Sequence, residues 1–210
     1  MKNYIAFILI TFVVFFTTQL NAQKENNIVY GILMEYQKGQ IYFDEDINDF
    51  DIRTSGVAIG ILAEAPIVKS LLLGIQPKIV LGESKFSQFN PLTSSQQEIE
   101  QGNIEVQLPL YLQYVFQGKK VDPLISVGYS YNINVTAQEE VGVLILDKNY
   151  HSVFSQVGLD IKNNFFTWTP YFGFESSVSN ITDIYNSNDE LINSRKVGFQ
   201  AGVKFKGPRT

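Results

Sequence analysis

An all-β fold, an eight-stranded antiparallel up-and-down barrel of the small outer-membrane type, is predicted by three features of this sequence. Eight stretches alternate apolar and polar residues with the two-residue period of a β-strand. The segments between them are alternately long and short, as in a transmembrane barrel with long extracellular loops and short periplasmic turns. The glycines of the strands share the polar face, so that face is predicted to line a closed, filled lumen.

The alternating stretches define the strands in chain order. They are 28–38, 56–65, 71–85, 104–116, 124–135, 153–162, 166–178 and 195–206. The tight connections, predicted to be periplasmic turns, are 66–70, 117–123 and 163–165. The long polar connections, predicted to be extracellular loops, are 39–55, 86–103, 136–152 and 179–194. Because the strand number is even, both termini are expected in the periplasm.

The first 22 residues have the pattern of a cleavable secretory signal. Lys2 gives a positive start, 4–16 is an apolar run, and 20–22 is a small-residue cleavage site. The run is too short to span a bilayer as a helix, which needs about 20 apolar residues. The sequence therefore predicts three parts: a signal peptide over 1–22, an outer-membrane barrel over 23–206 and a short tail over 207–210.

The composition excludes several classes of protein. There is no Cys, so a disulfide framework and a thiolate metal site are excluded. The chain has 16 basic and 21 acidic residues and a net charge of −5, which argues against nucleic acid as a partner. The length fits a single domain.

The alternation alone does not tell which face of the strands meets lipid, because a soluble barrel can enclose an apolar cavity. The glycines indicate which face is inside, since a lumen of this size has little room for side chains. Those on the polar face are Gly31, Gly60, Gly74, Gly82, Gly128, Gly158, Gly173, Gly198 and Gly202. We therefore expect the following apolar residues to touch lipid: Leu108, Leu110, Ile125, Val127, Phe172, Phe199 and Val203. Residues expected to point inward include Glu105, Gln107, Tyr111, Asn132 and Gln200.

Aromatic residues near the short turns support this orientation. Aromatic rings favour the membrane interface, where an apolar body meets lipid and a polar edge meets water. The expected periplasmic girdle is Tyr30, Tyr114, Phe116, Phe166, Trp168 and Phe205. The alternative is that these residues are ordinary strand formers.

Three segments, 56–86, 104–131 and 171–205, resemble the PorT-like outer-membrane β-barrel family of Gram-negative bacteria. Leu108-Pro109 and Asp122-Pro123 occupy places comparable to the Leu-Pro pair and the Pro-containing turn of that family. The resemblance implies a barrel in the outer membrane and assigns no activity, although one branch of the family belongs to a protein-secretion and gliding machinery. A departure is the C-terminus, where Phe205 is followed by five further residues.

Charged residues on the inward face are the first candidate for chemistry. They are Glu35, Glu64, Glu105, Asp160, Glu175, Lys78, Lys162 and Lys204. Because buried charges must be paired or solvated, we expect a network of ion pairs and hydrogen bonds that fills the lumen. The alternative is a narrow ion path.

Metal binding and catalysis have weaker support. The acidic segment 44–51 begins like an EF-hand, but Asp49 stands where that loop needs Gly and Ser55 where it needs Glu. The single His, His151, is followed by Ser152, yet adjacent strand residues point to opposite faces. We therefore predict no catalytic residue, no metal site and no cofactor.

The sequence thus predicts a non-catalytic outer-membrane protein with a structural or surface-interaction role. The expected partners are outer-membrane lipid and other envelope proteins, met through loops 39–55, 86–103, 136–152 and 179–194; the apolar segment 141–146 could contact another protein or extend a strand. The alternatives are an accessory subunit of an envelope or protein-secretion machine, and a narrow pore or lipid-modifying enzyme.

Overall fold

The computed structural model describes residues 28–43, 50–90, 95–136, 149–181 and 193–207. The predicted signal peptide, the acidic residues 44–49 and the apolar segment 141–146 lie outside the described residues. The strands are β1 (Val29–Phe43), β2 (Phe50–Val68), β3 (Leu71–Ile75), β4 (Lys78–Asn90), β5 (Ser95–Val115), β6 (Val121–Asn134), β7 (Asn149–Lys162), β8 (Thr167–Ser177) and β9 (Ser194–Lys206). In this part of the chain, no helix has the length and apolar character needed to cross a lipid bilayer.

The strands form a closed antiparallel barrel. Strands that follow one another in the chain are paired, except β3 and β4, and β1 pairs with β9 from Gly31↔Lys206 to Phe43↔Ser194, which closes the ring. β3 and β4 lie end to end between β2 and β5. Pro77, which has no N–H to donate, lies at the interruption between them. The described strands therefore make an eight-membered ring, which confirms the predicted fold.

The short connections and the two ends of the barrel chain lie at one rim. β2 and β3 are joined through Lys69 and Ser70, and the other short turns lie at 116–120 and 163–166. The amide of Gly207 donates to the carbonyl of Tyr30 over 3.0 Å, so the last strand ends beside the start of the first. The predicted arrangement of short turns and termini at one rim is confirmed.

The strands at the opposite rim are longer than predicted. Residues 39–43 pair with β9, 50–55 pair with β4, and 52–55 also pair with β1. In the second predicted loop, 86–90 pair with 95–99 and 100–103 continue β5. The prediction that 39–55 and 86–103 are loops is therefore wrong over most of their length. The reason is that backbone groups make the ladder, so it continues where the side chains no longer alternate.

The face assignment is confirmed. The exposed fractions of Leu108, Leu110, Ile125, Val127, Phe172 and Phe199 lie between 41% and 54%, and Val203 is half-buried. The five residues expected to point inward are at most 4% exposed. Five of the six girdle aromatics are exposed and Tyr30 is half-buried.

Candidate functional site

The lumen holds the charged residues that the sequence placed there, with one exception. Glu35, Glu64, Glu105, Asp160, Lys78 and Lys204 are at most 4% exposed, and Glu175 is half-buried. The Lys162 side chain is 43% exposed and lies beside the turn at 117–120, where its Nζ is 2.7 Å from Asp122 Oδ2. The prediction that Lys162 is a lumen residue is wrong, because the strand ends there and the side chain reaches solvent.

Glu35 is at the centre of the network. Lys78 Nζ lies 2.6 Å from Glu35 Oε1, and Gln37 Nε2 donates to the same oxygen over 2.6 Å. The hydroxyl of Tyr171 donates to the other carboxylate oxygen. Both oxygens of this buried carboxylate are thus hydrogen-bonded, and a cation balances its charge, which is what a buried charge requires.

A chain of hydrogen bonds continues from Glu35 toward the rim opposite the short turns. Gln37 Nε2 donates to Gln107 Oε1 over 2.9 Å, and Gln107 donates to Glu105. The Tyr150 hydroxyl donates to Glu105 over 2.7 Å and lies 2.9 Å from the donating Nζ of Lys196. Strands β1, β5, β7 and β9 are therefore tied together across the lumen.

A second set of contacts fills the half of the lumen nearer the short turns. Lys206 Nζ lies 2.6 Å from Asp160 Oδ1 and 3.4 Å from Glu64 Oε2. The hydroxyl of Tyr111 donates to Glu64 over 3.0 Å. Lys204 Nζ lies 4.9 Å and 4.8 Å from the ring centres of Tyr111 and Tyr171, where ring faces attract a cation.

Glycines provide the room for these rings. Gly74 is directly opposite Tyr111, Gly128 opposite Phe154 and Gly202 opposite Tyr171. A Cβ added at Gly74 would lie 2.6 Å from the Tyr111 hydroxyl oxygen, and one at Gly202 would lie 2.8 Å from that of Tyr171. Each large aromatic ring therefore occupies the space that is free because the glycine opposite has no side chain.

A buried apolar cluster lies toward each end of the lumen. At the rim opposite the short turns, Ile41, Ile52, Tyr150 and Ile181 form a cluster, against which Phe43 packs. At the rim of the short turns the cluster consists of Leu72, Val115 and Leu124. A cavity of about 20 Å³ remains beside Glu105, Glu175 and Lys196, which is the room that a single water needs.

Sequence reasoning missed several lumen residues. Lys196, Lys206, Tyr150 and Tyr171 all take part in the network, and Asp122 is buried at its end nearer the short turns. Lys196 and Lys206 have the same parity along β9 as Lys204. That parity was the available signal, because the predicted strand 195–206 already contained both lysines.

His151 and Ser152 point to opposite faces, as predicted. Ser152 is fully buried in the lumen, where Asn132 donates to it over 2.9 Å. His151 lies on the outer face beside the rings of Tyr129 and Tyr131, at centroid distances of 5.6 Å and 5.1 Å. Its Nδ1 is hydrogen-bonded to the Tyr129 hydroxyl. Within the described ranges, no group of three His, Asp or Glu residues is placed to hold a metal ion.

Solved structures with a similar backbone are outer-membrane proteins. The outer membrane protein OprG from Pseudomonas aeruginosa is 14% identical to this chain, with a TM-score of 0.51. The match covers 86% of this chain and 92% of OprG. This chain is an outer-membrane-type barrel. Neisserial surface protein A is 9% identical, covers 83% and 95% of the two chains, and has a TM-score of 0.45. The protease OmpT from Escherichia coli is 8% identical, with coverages of 86% and 96% and a TM-score of 0.44.

At these identities the likeness establishes the fold and nothing about a role. No protein-family model and no curated protein matches the sequence.

Proposed function

We propose that this protein is an integral barrel of the outer membrane whose role is non-catalytic and is carried by its extracellular side. The observation that carries the proposal is a wall of four paired strands above one side of the barrel. This extracellular wall consists of residues 37–43, 50–56, 83–90 and 95–102.

On β2, β4 and β5 the wall begins where the apolar outer face of the described residues ends, at Val57, Leu81 and Ile104. On β1 an exposed aromatic residue, Tyr42, lies beyond Tyr36. The charged outward residues of the wall include Lys38, Arg53, Glu83, Lys85 and Glu100. The eight residues of β4 from Glu83 onward extend roughly 26 Å along the strand at about 3.3 Å per residue. Spanning the bilayer does not require strands that extend beyond the apolar face, so we assign the wall to contacts outside the membrane.

The outer face of the wall carries several ion pairs. Lys85 Nζ lies 2.6 Å from Glu100 Oε1 and 3.8 Å from Glu83 Oε1, and Arg53 lies 2.7 Å from Asp51. These side chains are about half exposed, so each pair contributes little to stability. Their value is a charged, ordered surface on which a polar partner can be recognised.

The filled lumen supports the non-catalytic, non-conducting part of the proposal. The central carboxylates and ammonium groups bind one another, and a buried apolar cluster lies toward each end. A lipid hydrolase built on His151 would need a nucleophile beside it, and Ser152 lies on the other side of the barrel wall. Lipid analysis of cells that carry His151→Ala should therefore match that of wild-type cells.

Labelling of single cysteines tests the membrane topology directly, because the chain has no Cys of its own. Lys85→Cys, in the wall, should react with a membrane-impermeant maleimide on intact cells. The matched variant Lys119→Cys, in the turn between β5 and β6, should react only after the outer membrane is permeabilised. Reaction of Lys119→Cys on intact cells would contradict the proposed orientation.

The resemblance to PorT-like barrels supports a second version of this role, in which the wall docks onto other subunits of an envelope or protein-secretion machine. Purification from solubilised outer membrane distinguishes the two versions. A machine subunit brings stoichiometric partners that are lost when Lys38, Arg53 and Lys85 are replaced by Glu. A barrel that acts alone purifies without them.

A further inference from the structure

An apolar groove runs over the outer face of the barrel between β5 and β8. Its volume is about 730 Å³, within the usual range of ligand sites. Leu110, Leu112 and Phe174 form its sides, and Val127, Val153 and Ser155 lie along it. The groove exists because Ser155 is small: its cross-strand neighbours on the same face are Val127 and Phe174.

The groove lies at the depth of the acyl chains. Leu110 is in the middle of the outward apolar run of β5, which extends from Ile104 to Phe116. Tyr129 and Ser176 line the groove nearer the extracellular rim. The groove therefore extends from the level of the bilayer midplane through the outer leaflet, where its surroundings are hydrocarbon.

A polar cluster stands directly above the groove. His151 follows Val153 on the same face of β7, two residues nearer the rim, and Tyr131 follows Tyr129 in the same way on β6. The hydroxyl of Tyr129 is bonded to Nδ1 of His151, which leaves Nε2 as the second polar atom of the ring. An N–H and the Tyr131 hydroxyl are groups that bind phosphate oxygens.

We propose that this groove binds one outer-leaflet lipid, with an acyl chain against Ser155 and a phosphate-bearing headgroup at His151 and Tyr131. The polarity along the site carries the assignment: it is apolar from the midplane upward and becomes polar at the headgroup level, as a single lipid does. A protein partner would need no such sequence of surfaces. The proposal rests on the membrane insertion proposed above.

Fluorescence quenching by brominated lipids tests the site in reconstituted bilayers. The chain has one Trp, Trp168, in the periplasmic girdle. In the double variant Trp168→Phe/Phe174→Trp, the single Trp lies on the side of the groove. Each protein is placed in phosphatidylcholine bilayers that contain either brominated phosphatidic acid or brominated diacylglycerol, which has the same acyl chains and no phosphate, and the lipid fraction that gives half-maximal quenching is measured.

We expect the groove reporter to be half-quenched at a severalfold lower fraction of brominated phosphatidic acid than of brominated diacylglycerol. Adding Ser155→Phe, which fills the groove, or His151→Phe, which removes the polar headgroup contact, should bring this ratio to about one. The matched control Ala201→Phe adds the same ring on β9, away from the groove, between Tyr36 and Phe172, and should leave the ratio unchanged.

The outcomes separate failure of the site from failure of the proposed function. If wild-type Trp168 is not quenched by either lipid, membrane insertion itself is wrong. If Trp168 is quenched but the groove reporter shows a ratio of about one, only the lipid site is wrong. Disulfide-linked dimers of Ser155→Cys in native membranes would also overturn it, because they would make the groove an interface between two copies of the chain.

Discussion

Lys78 and Glu35 lie on strands that are not neighbours in the barrel, yet the Lys78 Nζ is 2.6 Å from a Glu35 carboxylate oxygen. β2 separates β4 from β1, so the pair bridges the lumen without following the sheet. Only 3% and 0% of the two side chains are exposed. The pair therefore joins two parts of the barrel through an environment from which water is excluded.

Removing one member of this pair should destabilise the barrel strongly. In Lys78→Met the carboxylate of Glu35 loses its cation while it stays buried, and we expect the free energy of unfolding in bilayers to fall by about 3–5 kcal/mol. The double variant Lys78→Met/Glu35→Gln should recover part of the loss. The matched variant Lys85→Met, in the exposed wall, should change stability by at most about 1 kcal/mol. Equal losses for Lys78→Met and Lys85→Met would show that burial does not govern the pair.

Filling the space opposite Tyr111 should also be costly. In Gly74→Ala the new methyl group meets the Tyr111 ring, which must move away from Glu64 and Lys204. Overpacking of this kind costs about 1–3 kcal/mol of unfolding free energy. Gly102→Ala is the control, because its Cβ meets nothing within 4 Å. The explanation fails if denaturant unfolding finds the two variants equally stable.

A charge on the lipid face should cost energy according to its depth. Leu110→Arg places a guanidinium near the bilayer midplane, and the expected loss of stability in a reconstituted bilayer is about 2–4 kcal/mol. Val135→Arg, on the same outer surface but close to the extracellular rim, should cost about 0–1 kcal/mol. A value near zero for Leu110→Arg would mean that this face does not meet lipid.

The purified protein should show no steady conductance in planar bilayers. The lumen side chains bind one another, and the apolar clusters around Ile41 and Leu72 lie toward its ends. Ion flow would require these groups to separate, which is unfavourable at low dielectric. A steady current that changes in Glu105→Gln or Lys78→Met would refute the filled lumen and support a narrow pore.

The orientation of the side chains was predictable from the sequence because a strand has a period of two. Leu110 and Gln107 were assigned to opposite faces by parity alone, and the structure confirms both. The glycines then decided which face is inside, since a narrow closed barrel leaves little room for interior side chains. Parity also placed His151 and Ser152 on opposite faces of the sheet, so the two residues cannot act as a catalytic pair.

The ends of the strands were less predictable. Residues 39–43 and 50–55 are polar or irregular in sequence, but they continue the ladder of β1 and β2. Backbone pairing needs a neighbouring strand in register and has no requirement for alternation. The extracellular wall therefore became visible only when the pairings were known.

The sequence by itself determined the fold class, the strand number and the two faces of the barrel, because these follow from local periodicity and from the size of glycine. The tertiary structure decided which charges meet, such as Lys206 with Asp160 and Lys196 with Glu105, and where the outer surface is recessed beside Ser155. Those contacts depend on which residues of non-adjacent strands lie at the same level along the barrel axis. That level is set by the register between strands and by the closure of the barrel, and the sequence of a single strand specifies neither.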